Sequence, residues 1–463
     1  MTGSGSRVIV VGLGPGNPDL RTVGAQRALD AADRIILRTR IHPGISDFAT
    51  DPKVTDCDDL YESADGFADL YQAIAARVVT TARAGGIIVF AVPGHPRFGE
   101  WSVPLIEAKA AEFGIPVDVL DAVSFVDVAL GALQIDPIED GLQVTDAEHL
   151  AATLDSDPYA AGLLGVDPAR ALLVAQVYNS DLAAAVKIAL TRLYPDEHLV
   201  VLVNAAGILA EQTTISIALH TLDRLDVDHL TSLWVPPLAP LDAVRSPESL
   251  TRIVARLRAP GGCPWDREQT HGSLRNAVLE EAYEVVDTID GDDERELAEE
   301  LGDLLLLVSM HAQLAEENGS FKIEDVYEEI NRKLIRRHPH VFGAESAATP
   351  DEVIATWEGV KATERAEKAA SQIDQHPIDR LPRAMPATRK AIQMLAPRKC
   401  LSESNDSSAG DDLLSAVSAL VDRGLDPERA LEASLRKLTK QRVEEPSALS
   451  ATGVGSSQGR RNA

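Results

Sequence analysis

Hydrophobic and polar positions follow two textures along the chain. Up to about residue 235, short β-branched runs at Val8–Val11, Ile87–Val89, Val117–Leu120, Ala171–Val177 and Leu199–Val203 alternate with Ala-rich stretches such as Ala25–Ala32 and Leu70–Ala84. That alternation predicts strands with crossover helices, hence an α/β domain. Trp234–Pro240, WVPPLAP, reads as the end of that domain and a stiff linker over 236–246. From Pro247 the chain is dense in Leu, Glu and Arg, and Leu274, Ala277, Val278, Ala282, Val285 and Val286 fall near helical spacing. The pattern predicts a helix over 247–258, a loop over 259–272, and helices over about 273–290, 293–317 and 322–337. A proline-containing linker is expected over 368–400, a short helical segment within 401–446, and a disordered tail over 447–463. There is no repeat of solenoid period.

The 463 residues suggest about three domains. Hydrophobic residues are 45% and charged residues 25%, which places the chain among globular proteins with a sizeable core. The net charge of −28 argues against a nucleic-acid or anionic-membrane binder, while leaving room for a local basic site for a phosphate ligand. Cys57, Cys263 and Cys400 are too few and scattered for a disulfide framework or zinc knuckle, and a reducing cytoplasm fits them. No run approaches the roughly 18 apolar residues of a membrane span, and the short apolar run near the start predicts no signal peptide.

The strongest chemistry lies in LEEAYEVVDTID and LAEELGDLLLL. Glu280 and Glu281 fall on roughly the same helix face as Glu284, and Glu300 and Asp303 are again one turn apart. Like charges at that spacing repel by roughly a few tenths of a kcal/mol on an exposed helix, and by more when buried. Two such pairs on antiparallel helices, joined by a turn at Asp290–Asp293, invite a cation between them. All-oxygen ligands suit Mg²⁺ or Mn²⁺ rather than Zn²⁺. Taken alone, the pattern is equally open to a solvated acidic face.

The flanking motifs resemble the MazG family of nucleoside triphosphate pyrophosphohydrolases. The resemblance is carried by Cys263-Pro264-Trp265-Asp266, Glu268-Gln269-Thr270-His271, Ser273-Leu274, Glu280-Glu281-x-x-Glu284, Glu300-Leu301-Gly302-Asp303 and Lys333-x-x-Arg336-Arg337-His338-Pro339-His340-Val341-Phe342, completed by Trp357-Glu358 and Lys361. It spans about 247–367 and implies an all-α helical bundle that assembles as a dimer or higher oligomer. The implied reaction is Mg²⁺-dependent hydrolysis of a nucleoside triphosphate to a monophosphate and pyrophosphate. In that reading Glu281, Glu284, Glu300 and Asp303 hold the metal and Glu280 orients or deprotonates the attacking water. Lys333, Arg336 and Arg337 bind β/γ-phosphate oxygens, and Trp357 with Lys361 takes the base. A helix C-terminal cap for RRHPH and a core anchor for Trp357 are the alternatives, while Cys263 and Trp265 are expected to pack the loop.

Near the start, Val8–Val11 runs into Gly12-Leu13-Gly14-Pro15-Gly16-Asn17. Asn17 and Pro15 depart from the dinucleotide fingerprint. GLGPGNPDLRT, Ala91-Val92-Pro93-Gly94-His95-Pro96, Val123-Ser124-Phe125 and Asn204-Ala205-Ala206-Gly207 resemble the tetrapyrrole (corrin and porphyrin) methylases over about 6–225. The resemblance implies S-adenosylmethionine or S-adenosylhomocysteine held at Gly12, Gly14, Gly16, Pro93, Gly94, His95 and Ser124, with His95 standing where many members carry an acid. It leaves the methyl acceptor open.

At the other end, Asp411–Val417 through Lys437–Arg442 resembles the back half of a second MazG domain, with Asp412 kept and Ala409 where the Glu would be. Half a metal site predicts a non-catalytic segment. The reading is therefore multidomain: a methylase-like α/β domain over 1–235, a MazG helical bundle over 247–367 and a short helical remnant. Nucleoside triphosphates are the expected substrates, with a homodimer or higher oligomer, no membrane and no stable nucleic-acid partner. A methyltransferase with an accessory MazG domain, and a nucleotide-sensing scaffold, are the competing functions.

Overall fold

The computed structural model describes residues 5–343 apart from 65, 140, 155–164 and 292, together with 349, 352–353, 356–357, 359–360, 364, 381–395 and 407–444. The chain forms two compact units, Met1–Ile323 and Glu324–Ala463.

The first unit opens with a five-stranded sheet in the order β3-β2-β4-β1-β5. Its strands are β1 (Arg7–Gly12), β2 (Arg34–Leu37), β3 (Val54–Asp56), β4 (Ile87–Val92) and β5 (Val117–Val119). All pairings in it are parallel. Parallel strands buried on both faces read as continuous apolar runs, which is why β1 and β4 are nearly unbroken Val and Ile. Helices α1 (Val23–Ala31), α2 (Asp58–Ser63), α3 (Phe67–Arg83) and α4 (Ser102–Ala111) supply the connections. Leu70, Ile74, Val78 and Ala82 form the buried face of α3 against Val8, Val10, Ile88 and Phe90.

A second five-stranded sheet follows, in the order β6-β7-β10-β8-β9. It comprises β6 (Gln143–Asp146), β7 (Leu172–Ala175), β8 (Leu199–Asn204), β9 (Thr213–Ala218) and β10 (Thr231–Val235), with α5 (Phe125–Leu133), α6 (Ala147–Ala152) and α7 (Ser180–Leu190) around it. Only β6 and β7 are parallel, and β10 pairs antiparallel with both β7 and β8. The strand–helix alternation thus carries over to β6 and β7. The connection from β8 to β9 is too short for a crossover helix, so β9 returns antiparallel beside β8.

Four helices close this unit's order of elements: α8 (Pro247–Arg258), α9 (Pro264–Glu268), α10 (Arg275–Gly291) and α11 (Glu294–Glu317). Ser246 caps α8, accepting from the Ser249 N–H, with Pro247 at the first helical position. The loop expected over 259–272 contains the one-turn α9. Its entry folds back on α8: the Cys263 N–H donates to the Leu257 carbonyl at 2.8 Å. A Cβ on Gly262 would lie 2.1 Å from that oxygen, so only glycine fits. Trp265 is 64% exposed, so it does not pack the loop as its sequence setting implies.

Val254, Leu274, Leu307, Met310 and Leu314 bring α8, α10 and α11 into one core. The Arg258 side chain, 6% exposed, ties three segments together. It donates to both Glu317 oxygens at 2.8 and 2.7 Å and to the Asp266 carbonyl. Arg252 on α8 pairs with Asp167 of the α/β region at 2.7 Å, fastening the helices to it.

The second unit contains the rest of α12 (Ile323–Arg337) beyond its first residue, and α13 (Pro339–Phe342). Part of the expected linker over 368–400 is helical, α14 (Ala387–Leu395). The expected single C-terminal segment is two helices, α15 (Ser407–Val421) and α16 (Pro427–Glu444). The helix at 387–395 escapes a reading based on prolines because Pro377, Pro382 and Pro386 all precede it. Its start is fixed by tertiary contacts: the Ala387 N–H donates to Glu428 of α16, and buried Lys390 pairs with Glu432 at 2.8 Å. The tail at 447–463 lies outside the described residues.

Candidate functional site

The helix hairpin α10–α11 positions the carboxylates. Asp293 starts α11, accepting from the Arg295 and Glu296 N–H groups at 3.0 and 3.1 Å. Buried Thr288 donates to the Glu284 and Val285 carbonyls near the end of α10. With the turn and core fixed, carboxylate oxygens of Glu281, Glu284 and Glu300 come within 4.8 Å of one another. Among the described residues this is the only grouping of three or more acids, histidines and cysteines that close. Asp303 stands outside the trio, yet its charge helps to raise the Glu281 and Glu300 carboxyls above the ordinary range. Desolvation is the first cause of both shifts and neighbouring carboxylates the next. No ion pair among the described residues relieves them. Oxygen donors of one sign, with no protein cation to match, fit Mg²⁺ or Mn²⁺. Glu280 is exposed and lies outside the trio. His271 of the QTH motif meets His311 of α11 with Nδ1 atoms 2.8 Å apart.

Lys333, Arg336 and Arg337 lie at the end of α12 in the second unit. Arg336 and Arg337 converge on Glu364 at 2.5 and 2.6 Å, and the Arg337 guanidinium lies 5.8 Å from the Trp357 ring centre. The arginines pull the Glu364 carboxyl down to about 2. Glu364 belongs to no motif, and its only signal in the sequence is its place three residues after Lys361. Lys361 lies outside the described residues. The His338 ring bonds the Leu334 carbonyl at 2.7 Å, so part of RRHPH does cap the helix.

In the α/β region the predicted ligand loops converge at the C-terminal ends of β1 and β4, where open α/β sheets take ligands. Gly14 and Gly94 exchange backbone hydrogen bonds at 3.2 and 2.8 Å. A Cβ on Gly12 would stand 2.3 Å from the Gly94 carbonyl oxygen and 2.4 Å from the Ala122 Cβ. Gly14, Gly16 and Gly94 all have positive φ, which accounts for glycine there. Gly16 abuts Ile208, and Gly207 abuts Leu20 and Val128, so the second sheet's Asn204–Gly207 loop joins the cluster. Ala205 and Gln176 hold positive φ at the ends of β8 and β7, strain that no sequence motif announces. Ser124 caps α5 in a capping box with Asp127. The His95 Nδ1 accepts from the Arg97 N–H at 3.0 Å, fixing the turn after Pro93 and Gly94.

A MazG nucleotide pyrophosphohydrolase domain model matches residues 269–342, and a tetrapyrrole (corrin/porphyrin) methylase model matches 7–222. A nucleoside triphosphate pyrophosphohydrolase/pyrophosphatase MazG of Thermotoga maritima is 39% identical over 218 residues, which are 42% of this chain and 83% of that protein. The chain belongs to the MazG family. Its MazG domain follows a tetrapyrrole methylase domain. An uncharacterized protein YabN of Bacillus subtilis is 37% identical over 391 residues, 84% of this chain and 76% of that one. A nucleoside triphosphate pyrophosphohydrolase of Escherichia coli K12 is 47% identical over 146 residues, 31% of this chain and 54% of that protein. The carboxylate trio lies inside the matched MazG segment, and Trp357 and Glu364 lie beyond it. No helix among the described residues is long and apolar enough to cross a membrane.

Within the methylase domain, His42 is buried and hydrogen-bonds the Gly14 backbone, while its Nδ1 lacks a partner. Burial pushes its pKa down from 6.5 to about 4. Between those values the unfolded chain binds the proton and the folded one does not. The contribution of His42 to stability is therefore whole above about 6.5 and is lost as pH falls toward about 4. Thermal unfolding followed between these limits is expected to show a falling Tm, with a shallower slope in His42→Gln.

Proposed function

We propose that the chain hydrolyses nucleoside triphosphates to nucleoside monophosphate and pyrophosphate at the MazG domain. The observation that carries this reading is the convergence of Glu281, Glu284 and Glu300 within 4.8 Å on the matched helices. Those three carboxylates, with Asp303 beside them, would hold Mg²⁺ or Mn²⁺. The ion supplies charge neutralisation of the triphosphate and polarisation of the phosphoryl group under attack. Glu280, exposed on the same helix, is the candidate to orient or deprotonate the attacking water. Within the second unit, Lys333, Arg336 and Arg337 are proposed to bind phosphate oxygens, and Trp357 and Lys361 the base. The triphosphate is common to standard, deoxy and modified nucleotides, so this chemistry covers that whole class.

A second activity is favoured by the convergence of four loops around Gly12, Gly14, Gly16, Pro93, Gly94, His95 and Ser124. Backbone packed this closely, with positive φ at three of the glycines, suits S-adenosylmethionine or its demethylated product. The assembly is proposed to be a dimer or higher oligomer. Leu279, Tyr283, Val286 and Ile289 of α10 and Leu301, Leu305 and Val308 of α11 are exposed apolar side chains on the hairpin that carries the acids.

Three measurements test these readings. A panel of NTPs and dNTPs should release monophosphate and pyrophosphate one to one, only with divalent metal, and Glu281→Gln should cut turnover by about a hundredfold or more. Undiminished turnover would exclude the carboxylate assignment. Calorimetric titration should detect S-adenosylhomocysteine binding that Gly12→Ala abolishes; no heat with the wild-type chain removes the adenosyl reading. Light scattering should give a multiple of 49.6 kDa that falls to the single-chain mass in Tyr283→Glu/Leu305→Glu, and a monomeric wild type would refute the assembly.

A further inference from the structure

The proposed phosphate ligands Arg336 and Arg337 are already engaged within their own unit. Glu364 accepts from the Arg336 terminal nitrogen at 2.5 Å through Oε1. It accepts from Arg337 through both oxygens, Nε to Oε1 at 3.3 Å and the terminal nitrogen to Oε2 at 2.6 Å. Its side chain is only 14% exposed, and that of Arg337 is 18% exposed beneath Trp357. Arg336 is 56% exposed, open to solvent on its outer side.

This is a geometry with which arginines grip a phosphate: two guanidinium groups on one anionic group, the Arg337 group bidentate and set against an aromatic ring. We infer that Glu364 is an internal competitor for substrate, a carboxylate that occupies the Arg336–Arg337 fork until a polyphosphate displaces it. The inference rests on the phosphate role proposed for these arginines. One carboxylate carries a single charge and two oxygens. A pyrophosphate group presents more of both, so it gains more from the same donors. The two arginines hold the Glu364 carboxyl down to about 2, so the competitor is charged at neutral pH. The exchange has two consequences. Held by Glu364, the arginines stay ordered and half-neutralised in the empty site. When pyrophosphate has formed, the carboxylate reclaims them and speeds its departure.

The test uses the full chain with inorganic pyrophosphate and Mg²⁺ as the probe. Calorimetric affinity is measured for the wild type, Glu364→Gln, Arg336→Gln and Arg337→Gln, with product inhibition by pyrophosphate as a second readout. Glu364→Gln should bind pyrophosphate about five- to tenfold more tightly, the change expected from removing one partly covered ion pair. Product inhibition should strengthen by the same factor, while the arginine variants bind more weakly. Unchanged or weaker binding in Glu364→Gln, with the arginine variants still impaired, overturns the competitor and leaves the arginines as ligands. Unchanged affinity in both arginine variants removes the phosphate role itself. If Glu364→Gln does not fold by circular dichroism, Glu364→Asp replaces it. Its shorter carboxylate cannot reach both guanidinium groups, so a smaller tightening is expected, and none counts against the inference.

Discussion

Three ionised carboxylates within 4.8 Å of one another repel, and the α10–α11 hairpin is built to hold them there. The hairpin tolerates this because its register is fixed elsewhere. Leu307, Met310 and Leu314 of α11 are buried with Leu274 ahead of α10 and Val254 of α8. Arg258 bonds Glu317 and the loop after Cys263, and Asp293 begins α11 at a defined residue. The apolar core and one buried arginine thus supply the free energy that the acidic trio costs. A divalent ion would reverse the sign of that cost, turning repulsion into coordination. Acidic crowding offset by distant packing would hold such a site ready before a metal arrives.

The methylase domain uses backbone where the MazG domain uses side chains. The closeness of its glycine-rich loops depends on atoms that are absent. A Cβ at Gly12 would collide with Gly94, and one at Gly207 with Val128. His42 fills the remaining space as a neutral ring against Gly14, desolvated enough to resist protonation. The two domains therefore differ in chemistry, close-set carboxylates on the hairpin of one and close-packed glycine backbone in the other. Arg252 with Asp167 fastens α8 to the α/β region, and the hairpin core and the glycine-rich loops share a unit.

Most of the candidate site was legible because its information is local. Glu281 and Glu284 are one turn apart on any helix, and a Gly-rich turn after a β-branched run is a turn in any sheet. What the spacing could not supply was distance between elements. Asp303 belongs to the same helix repeat as Glu300, yet only Glu300 joins the trio, because the crossing of two helices brings one turn closer than the next. Glu364 was invisible for the same reason. A carboxylate 27 residues beyond Arg337 becomes its partner only when the chain between them folds back.

The sequence by itself determined the two textures, the strand–helix alternation of the first and the helices of the second, and the family resemblances later matched over 7–222 and 269–342. These follow from side-chain periodicity and backbone preference, which act over a few residues. Only the tertiary structure decided that the second sheet turns mostly antiparallel, that residues 387–395 are helical against α16, and that Trp265 faces solvent. It also decided which three acids meet and which acid holds the arginines. Those outcomes depend on how separated segments share one interior, where burial and charge pairing are settled between elements rather than along them.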